Sequence, residues 1–222
     1  MNLKDIILEL HSLDGIKFGS FQLKNGITSP VYFDLRVIIS RPELLKEVSN
    51  LFSKELENVD KPDLVCGVPY TALPFATLVS VDSAIPMIMR RKELKNYGTK
   101  KVLEGNFNEG QNCLILEDVI TSGSSVLETT EVLQKQGLKV KDVFVFLDRE
   151  QGGKTNLENN GLKVRSIVNA TELLAILFDN GKIDEATKNG VLEFIRKSQL
   201  GSENIINGEL YIYFLTKYMT NT

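Results

Sequence analysis

Leu114-Ile115-Leu116-Glu117-Asp118-Val119-Ile120-Thr121-Ser122-Gly123-Ser124-Ser125 is the stretch from which the fold is read. Its three leading apolar residues form the pattern of a buried parallel strand. Two adjacent carboxylates follow where that strand is expected to end, and a Thr/Ser/Gly run then opens an amphipathic helix. Small residues there let backbone N–H groups and hydroxyls converge on a phosphate at a helix N-terminus. The two acids cannot serve that phosphate, because like charges repel. They suit the hydroxyls of a sugar, or a metal ion chelated by it. The same order also occurs as a plain βα connection, in which acids stabilise the helix macrodipole and Thr or Ser caps it. The strand, both acids and an unbroken Thr-Ser-Gly-Ser-Ser together favour the ligand site.

On either side of this stretch, strands and helices alternate. Upstream, Leu64–Gly67 reads as a strand, Leu73–Val81 as a helix and Pro86–Met89 as a strand. Downstream, Val126–Leu133 marks a helix stopping at Gly137. Val143–Leu147 and Val164–Val168 are strands, and helices are expected near 171–179 and 184–197. Such alternation predicts an α/β fold with a mainly parallel sheet covered by helices on both faces. Before it, Leu3, Ile6, Ile7 and Leu10 share one face of a first helix, and Leu44 to Leu56 follow helical periodicity from Pro42. Between these helices, Ile16–Leu23 and Pro30–Leu35 flank Lys24-Asn25-Gly26, and Asn-Gly is a strong hairpin signal. The expected organisation is a domain over 1–199, made of an N-terminal hood (1–36) and a core (37–199). Residues 200–222 form an apolar, aromatic tail that could be a final helix, an interface element or a vector-derived segment.

Composition narrows the function classes. In 222 residues, 26 basic and 29 acidic side chains give a net charge of −3, which argues against a general nucleic-acid binder. Acids among the first residues argue against a signal peptide, and no apolar run approaches the roughly 20 residues of a membrane span. Cys66 and Cys113 lie in strand-like runs and read as buried reduced thiols, consistent with a cytoplasmic protein. With two separated cysteines and His11 as its single histidine, the chain offers no zinc-ligand pattern.

Two further loops carry chemistry. Arg90 to Lys101 holds six basic side chains and one acidic one directly after a strand. A charge run is usually a solvated face. Between two core strands, a basic loop could also close over a pyrophosphate, excluding water and stabilising the leaving group. Asp148-Arg149-Glu150-Gln151-Gly152-Gly153 also follows a buried strand, at the edge where open α/β sheets bind ligands. Gly153-Lys154-Thr155 imitates the end of a nucleotide-binding loop, but the required leading glycine is replaced by Asp148, so that reading is rejected.

A phosphate pocket beside a site for a diol and its metal describes phosphoribosyl pyrophosphate. With these motifs the chain resembles the orotate phosphoribosyltransferases, type I phosphoribosyltransferases, over roughly residues 3–195. It is most similar to the branch that forms the N-terminal half of bifunctional UMP synthases. Further matching pieces are Phe18–Gly26 with Ser29–Asp34, and Cys66-Gly67-Val68-Pro69-Tyr70-Thr71-Ala72-Leu73-Pro74.

The resemblance implies transfer of phosphoribosyl to orotate in pyrimidine biosynthesis, with Mg²⁺ chelated by phosphoribosyl pyrophosphate and no protein metal site. It implies that Lys24 contacts phosphoribosyl pyrophosphate, that Tyr32 and Phe33 line the orotate pocket, and that Tyr70 and Thr71 form the pyrophosphate loop. Arg91, Lys92, Lys95 and Tyr97 would belong to a catalytic loop shared across a homodimer. Glu117 and Asp118 would hold the ribose, and Val119, Ile120, Thr121, Ser122, Gly123, Ser124 and Ser125 the 5-phosphate. Lys95, Glu117 and Asp118 would be catalytic, and Thr121 and Arg149 would also touch orotate. Thr71 stands where bacterial members have Lys, and Tyr97 where they have His; both match the UMP synthase branch. No decarboxylase barrel follows, which would need about 200 residues or more, so the chain is either a single-function enzyme or a piece of a longer one. The competing readings are a transferase for another base, separable with a substrate panel, and a non-catalytic regulator of this fold. A regulator should carry a basic DNA-binding appendage, whereas the first helix here is acidic.

Overall fold

A computed structural model describes residues 1–22, 28–92 and 102–206, with 200–206 as backbone only. The core sheet has the strands β3 (Leu64–Gly67), β4 (Met87–Arg90), β5 (Leu103–Glu104), β6 (Cys113–Ile120), β7 (Asp142–Asp148) and β8 (Lys163–Asn169). Their spatial order is β5-β4-β3-β6-β7-β8. All neighbours are parallel except β4 and β5, which pair antiparallel.

The apolar runs bury both faces of this sheet. Leu114, Leu116, Phe144 and Phe146 face one layer, while Cys113, Ile115, Val143 and Val145 face the other. That is the two-residue alternation of a strand expressed in side chains that are all apolar. The first layer is closed by α2 (Pro42–Glu55), α3 (Ala72–Ser83), α6 (Ala170–Asp179) and α7 (Glu185–Ile206). Phe52 and Phe75 meet there at 5.9 Å between ring centroids. The second layer is closed by α4 (Ser124–Lys135) and α5 (Gly153–Asn159), through Val126, Leu133 and Leu157.

Helix α1 (Leu3–Ser12) begins in a capping box between Asn2 and Asp5, and its Ile6, Ile7 and Leu10 join the first layer. His11 packs near the Phe18 ring. Strands β1 (Ile16–Gln22) and β2 (Thr28–Phe33) pair antiparallel, with Gln22 opposite Thr28. The expected hairpin tip, with Lys24, lies outside the described residues, as does the segment 93–101 with Lys95 and Tyr97.

The structure corrects several expected boundaries. Strand β6 does not stop before the acids but runs through them to Ile120, because β7 continues to pair with it up to Ile120–Asp148. On its other side β3 ends at Gly67, opposite Leu116. Leu35 does not end β2. Asp34 instead accepts the Arg36 N–H at 3.1 Å and starts a 3₁₀ turn over Leu35–Ser40. Strand β5 and helix α5 were not anticipated, and α7 runs past residue 199 to Ile206. Cys66 and Cys113 are buried free thiols. Among the described residues no helix is long and apolar enough to cross a membrane.

Candidate active site

From β3 the chain moves outward to β4, and from β6 it moves the opposite way to β7 and β8. The strand order therefore reverses between β3 and β6, and the crevice beyond their carboxyl ends is where open α/β sheets bind ligands. Four segments meet at that edge: 68–71 after β3, 90–92 after β4, 117–125 at the end of β6, and 148–153 after β7.

The early end of β3 leaves Glu117 and Asp118 on a strand paired on one side only. Glu117 is nonetheless 5 % exposed; its Oε1 accepts the Asp118 N–H at 3.0 Å. Burial, and then the neighbouring Asp118 carboxylate, push its carboxyl well above the ordinary glutamate range. Beyond it, Glu117 and Val119 to Ser125 line an open cavity of about 140 Å³. Gly123 stands at φ +79° before the first turn of α4, so the chain can turn there without a Cβ in the way. The hydroxyls of Ser122 and Ser124 lie 3.2 Å apart. Backbone N–H groups and hydroxyls at a helix start suit a dianionic phosphate.

Helix α5 braces this loop from behind. Asn156 donates from Nδ2 to the Ser122 carbonyl at 2.8 Å. A Cβ on Gly153 would come within 2.5 Å of the Thr121 carbonyl oxygen, so only glycine fits that approach.

Next to the 119–125 loop, Arg149 donates its backbone N–H to Ile120 O at 3.1 Å and reaches Thr121 Oγ1 with Nη1 at 3.4 Å. Its guanidinium lies 5.5 Å from the centre of the Phe33 ring. Nε and Nη2 are buried with no hydrogen-bond partner among the described residues, and burial lowers the guanidinium pKa. A buried cation with two coplanar donors left over has the geometry to meet a planar anion. Asp148 is also buried, and desolvation pushes its carboxyl up although it accepts the Glu150 N–H at 2.8 Å.

A second cavity, about 370 Å³, is lined by Tyr70, Leu73, Met89, Arg90, Arg91, Lys92 and Glu104. Tyr70 is 63 % exposed and follows a cis Pro69–Tyr70 peptide; Lys92 Nζ lies 5.4 Å from its ring centre. Arg91 pairs with Glu104 at 2.6 Å. Thr71 precedes the first residue of α3.

Residues 38–176 match the phosphoribosyl transferase domain family. The chain is 40 % identical over 181 residues to the orotate phosphoribosyltransferase of Chlamydia caviae, covering 81 % of this chain and 87 % of that protein. It belongs to the orotate phosphoribosyltransferase family. It is 49 % identical over 203 residues to the uridine 5'-monophosphate synthase of Bos taurus, covering 91 % of this chain but 42 % of that protein. The solved UMP synthase of Leishmania donovani superposes with a TM-score of 0.80 at 29 % identity, over 87 % of this chain and 42 % of that one. The chain thus spans about two fifths of the UMP synthases it matches.

Within this orotate phosphoribosyltransferase fold, the acid pair, the phosphate loop, Arg149 and Phe33 come together in one crevice. Tyr70, Arg91 and Lys92 form a neighbouring group. Tyr32, beside Phe33 on β2, has contacts of its own. It follows the alternation of β2 to the other side, stacks near Phe21 at 5.6 Å and accepts a 3.4 Å contact from Arg36. Several supporting contacts carried no sequence signal. Arg90 ties the start of the basic segment to α4 through Thr129 Oγ1 at 3.0 Å and Glu128 at 3.2 Å. Asn156 and Glu150 support the two ligand loops through contacts that no spacing rule announces.

Proposed function

We propose that this chain transfers the 5-phosphoribosyl group from phosphoribosyl pyrophosphate to orotate, giving orotidine 5-phosphate and pyrophosphate. The observation that carries this reading is the half-satisfied guanidinium of Arg149 beside a phosphate loop and an acid pair. A base with a carboxylate gives that guanidinium a charged, two-oxygen partner, whereas a neutral base offers only weaker carbonyl acceptors. The names of the family relatives support the same substrate pair.

In this reading Val119 to Ser125 hold the 5-phosphate, Glu117 and Asp118 the ribose hydroxyls, and Tyr70 and Thr71 the pyrophosphate. Arg149 and Thr121 touch orotate, and Phe33 and Tyr32 contribute to its pocket. Lys24, Arg91, Lys92, Lys95 and Tyr97 approach the pyrophosphate from the hairpin tip and the basic segment. Mg²⁺ would come chelated by phosphoribosyl pyrophosphate, with Glu117 and Asp118 facing the ribose hydroxyls beside it. When bound it supplies positive charge against the departing pyrophosphate. The chain's own residues hold ribose and base in line and exclude water from an oxocarbenium-like centre. Orotate brings its own ring nitrogen as nucleophile, so no strong protein base is needed. The enzyme works as a homodimer in the cytoplasm, with Lys95 acting in the partner's site.

The test is a base panel. With phosphoribosyl pyrophosphate and Mg²⁺, orotate absorbance should fall, while uracil, adenine and hypoxanthine remain unconverted. Preferred conversion of a neutral base would overturn the assignment of Arg149 and of the reaction.

A further inference from the structure

Arg149 is held at its backbone and barely at its side chain, so something else must aim it. The next residue, Glu150, stands at φ +56°, a left-handed conformation that residues with a bulky side chain rarely adopt. Three segments hold it there. Its N–H donates to Asp148 Oδ1 at 2.8 Å. Its carbonyl accepts from Gln199 Nε2, on α7, at 2.7 Å. Its carboxylate Oε2 accepts both the N–H and the hydroxyl of Thr171, at 2.7 and 2.6 Å. Thr171 lies in the first turn of α6, where a carboxylate also meets the positive end of the helix. Gln151 adds a link from its Nε2 to Ser198 Oγ on α7 at 3.1 Å.

We infer that Glu150 is a positioning residue: by clamping the chain beyond Arg149 to α6 and α7, it aims the guanidinium at the base. The inference rests on the reading that Arg149 receives orotate. The carboxylate is already committed to Thr171, so its part is to set backbone direction. The helix start replaces the solvent that would otherwise let the loop relax to an ordinary conformation. With that tie gone the loop can turn, and Arg149 would sweep away from Thr121 and Phe33. The phosphate loop, braced separately by α5, should keep its shape.

The experiment compares steady-state kinetics and melting for Glu150→Ala, Glu150→Gly, Glu150→Gln and Arg149→Ala. Glu150→Ala should raise the KM for orotate about tenfold, while that for phosphoribosyl pyrophosphate stays within about twofold. Glu150→Gly relieves the backbone conformation but lacks the carboxylate, so it should also raise the orotate KM. Glu150→Gln keeps an acceptor for Thr171 and should stay within about threefold of the parent. Should Glu150→Ala fail to fold, Gln199→Ala at the exposed end of the clamp carries the test, with a rise of about threefold expected. If Arg149→Ala raises the orotate KM and neither the Glu150 variants nor Gln199→Ala do, the inference falls and the functional reading stands. An equal rise for both substrates likewise overturns the inference. If Arg149→Ala leaves the orotate KM unchanged, both readings fall together.

Discussion

A guanidinium buried with two of its nitrogens unpaired among the described residues is costly to the free protein and ready for an anion. Replacing Arg149 with Ala should therefore weaken orotate by about 1.5–3 kcal/mol, roughly ten- to a hundredfold, with little effect on phosphoribosyl pyrophosphate. Separate KM values for the two substrates check this; an equal loss for both would mean that Arg149 only supports the loop. Glu117 shows the opposite economy. Burial and the adjacent Asp118 carboxylate raise its pKa above the ordinary 4.5. An acid whose pKa rises on folding binds its proton more tightly when folded. Its ionisation therefore destabilises the fold as pH climbs from the unfolded pKa toward the folded one. Glu117→Gln should melt higher than the parent at about pH 8, with the gain shrinking toward about pH 4, while turnover falls. Thermal melts across pH decide it, and a gain independent of pH would contradict the account.

At the level of elements, the phosphate loop takes its shape from two supports, the end of β6 and the short helix α5. Asn160 Nδ2 donates to the Asn156 carbonyl at 2.8 Å and approaches Asn156 Oδ1 at 3.4 Å, leaving Asn156 Nδ2 for the Ser122 carbonyl. Asn156→Asp keeps the volume but sets an acceptor against that carbonyl. The KM for phosphoribosyl pyrophosphate should rise about tenfold, and more than in Asn156→Ala. Equal kinetics in Asp and Ala variants would show that Asn156 merely fills space. Helix α5 was invisible in the sequence because seven residues with one buried leucine, Leu157, show no helical periodicity. The core strands were legible because burial on both faces demands continuous apolar runs, as in Val143 to Leu147. The end of β6 was misjudged for a related reason. Acids commonly close a strand, and only the ladder to β7 keeps Glu117 and Asp118 extended. The 119–125 loop and Arg149 stood out by residue type, and the structure brings them side by side. Glu150 and Arg90 did not, since their partners Thr171, Gln199 and Thr129 are distant in sequence.

At the scale of the whole molecule, the order reversal between β3 and β6 gathers the proposed phosphate, ribose and base subsites along one sheet edge. A proposed shared site adds a second copy. Lys95→Ala and Asp118→Asn variants, each nearly inactive, should on equal mixing and random exchange regain about a quarter of the parent activity. Half the dimers would be mixed, each with one intact site of two; no recovery despite proven exchange would place Lys95 in its own subunit. The most direct test of the central claim, that this edge performs phosphoribosyl transfer to orotate, follows both products at once. Orotate absorbance and pyrophosphate release are recorded with phosphoribosyl pyrophosphate and Mg²⁺, for the parent and for Asp118→Asn, alongside melting curves. The account predicts one pyrophosphate for each orotate consumed by the parent, and nearly none by an Asp118→Asn variant that still folds. Absent orotate consumption by the parent, or near-normal turnover by the folded variant, would contradict it.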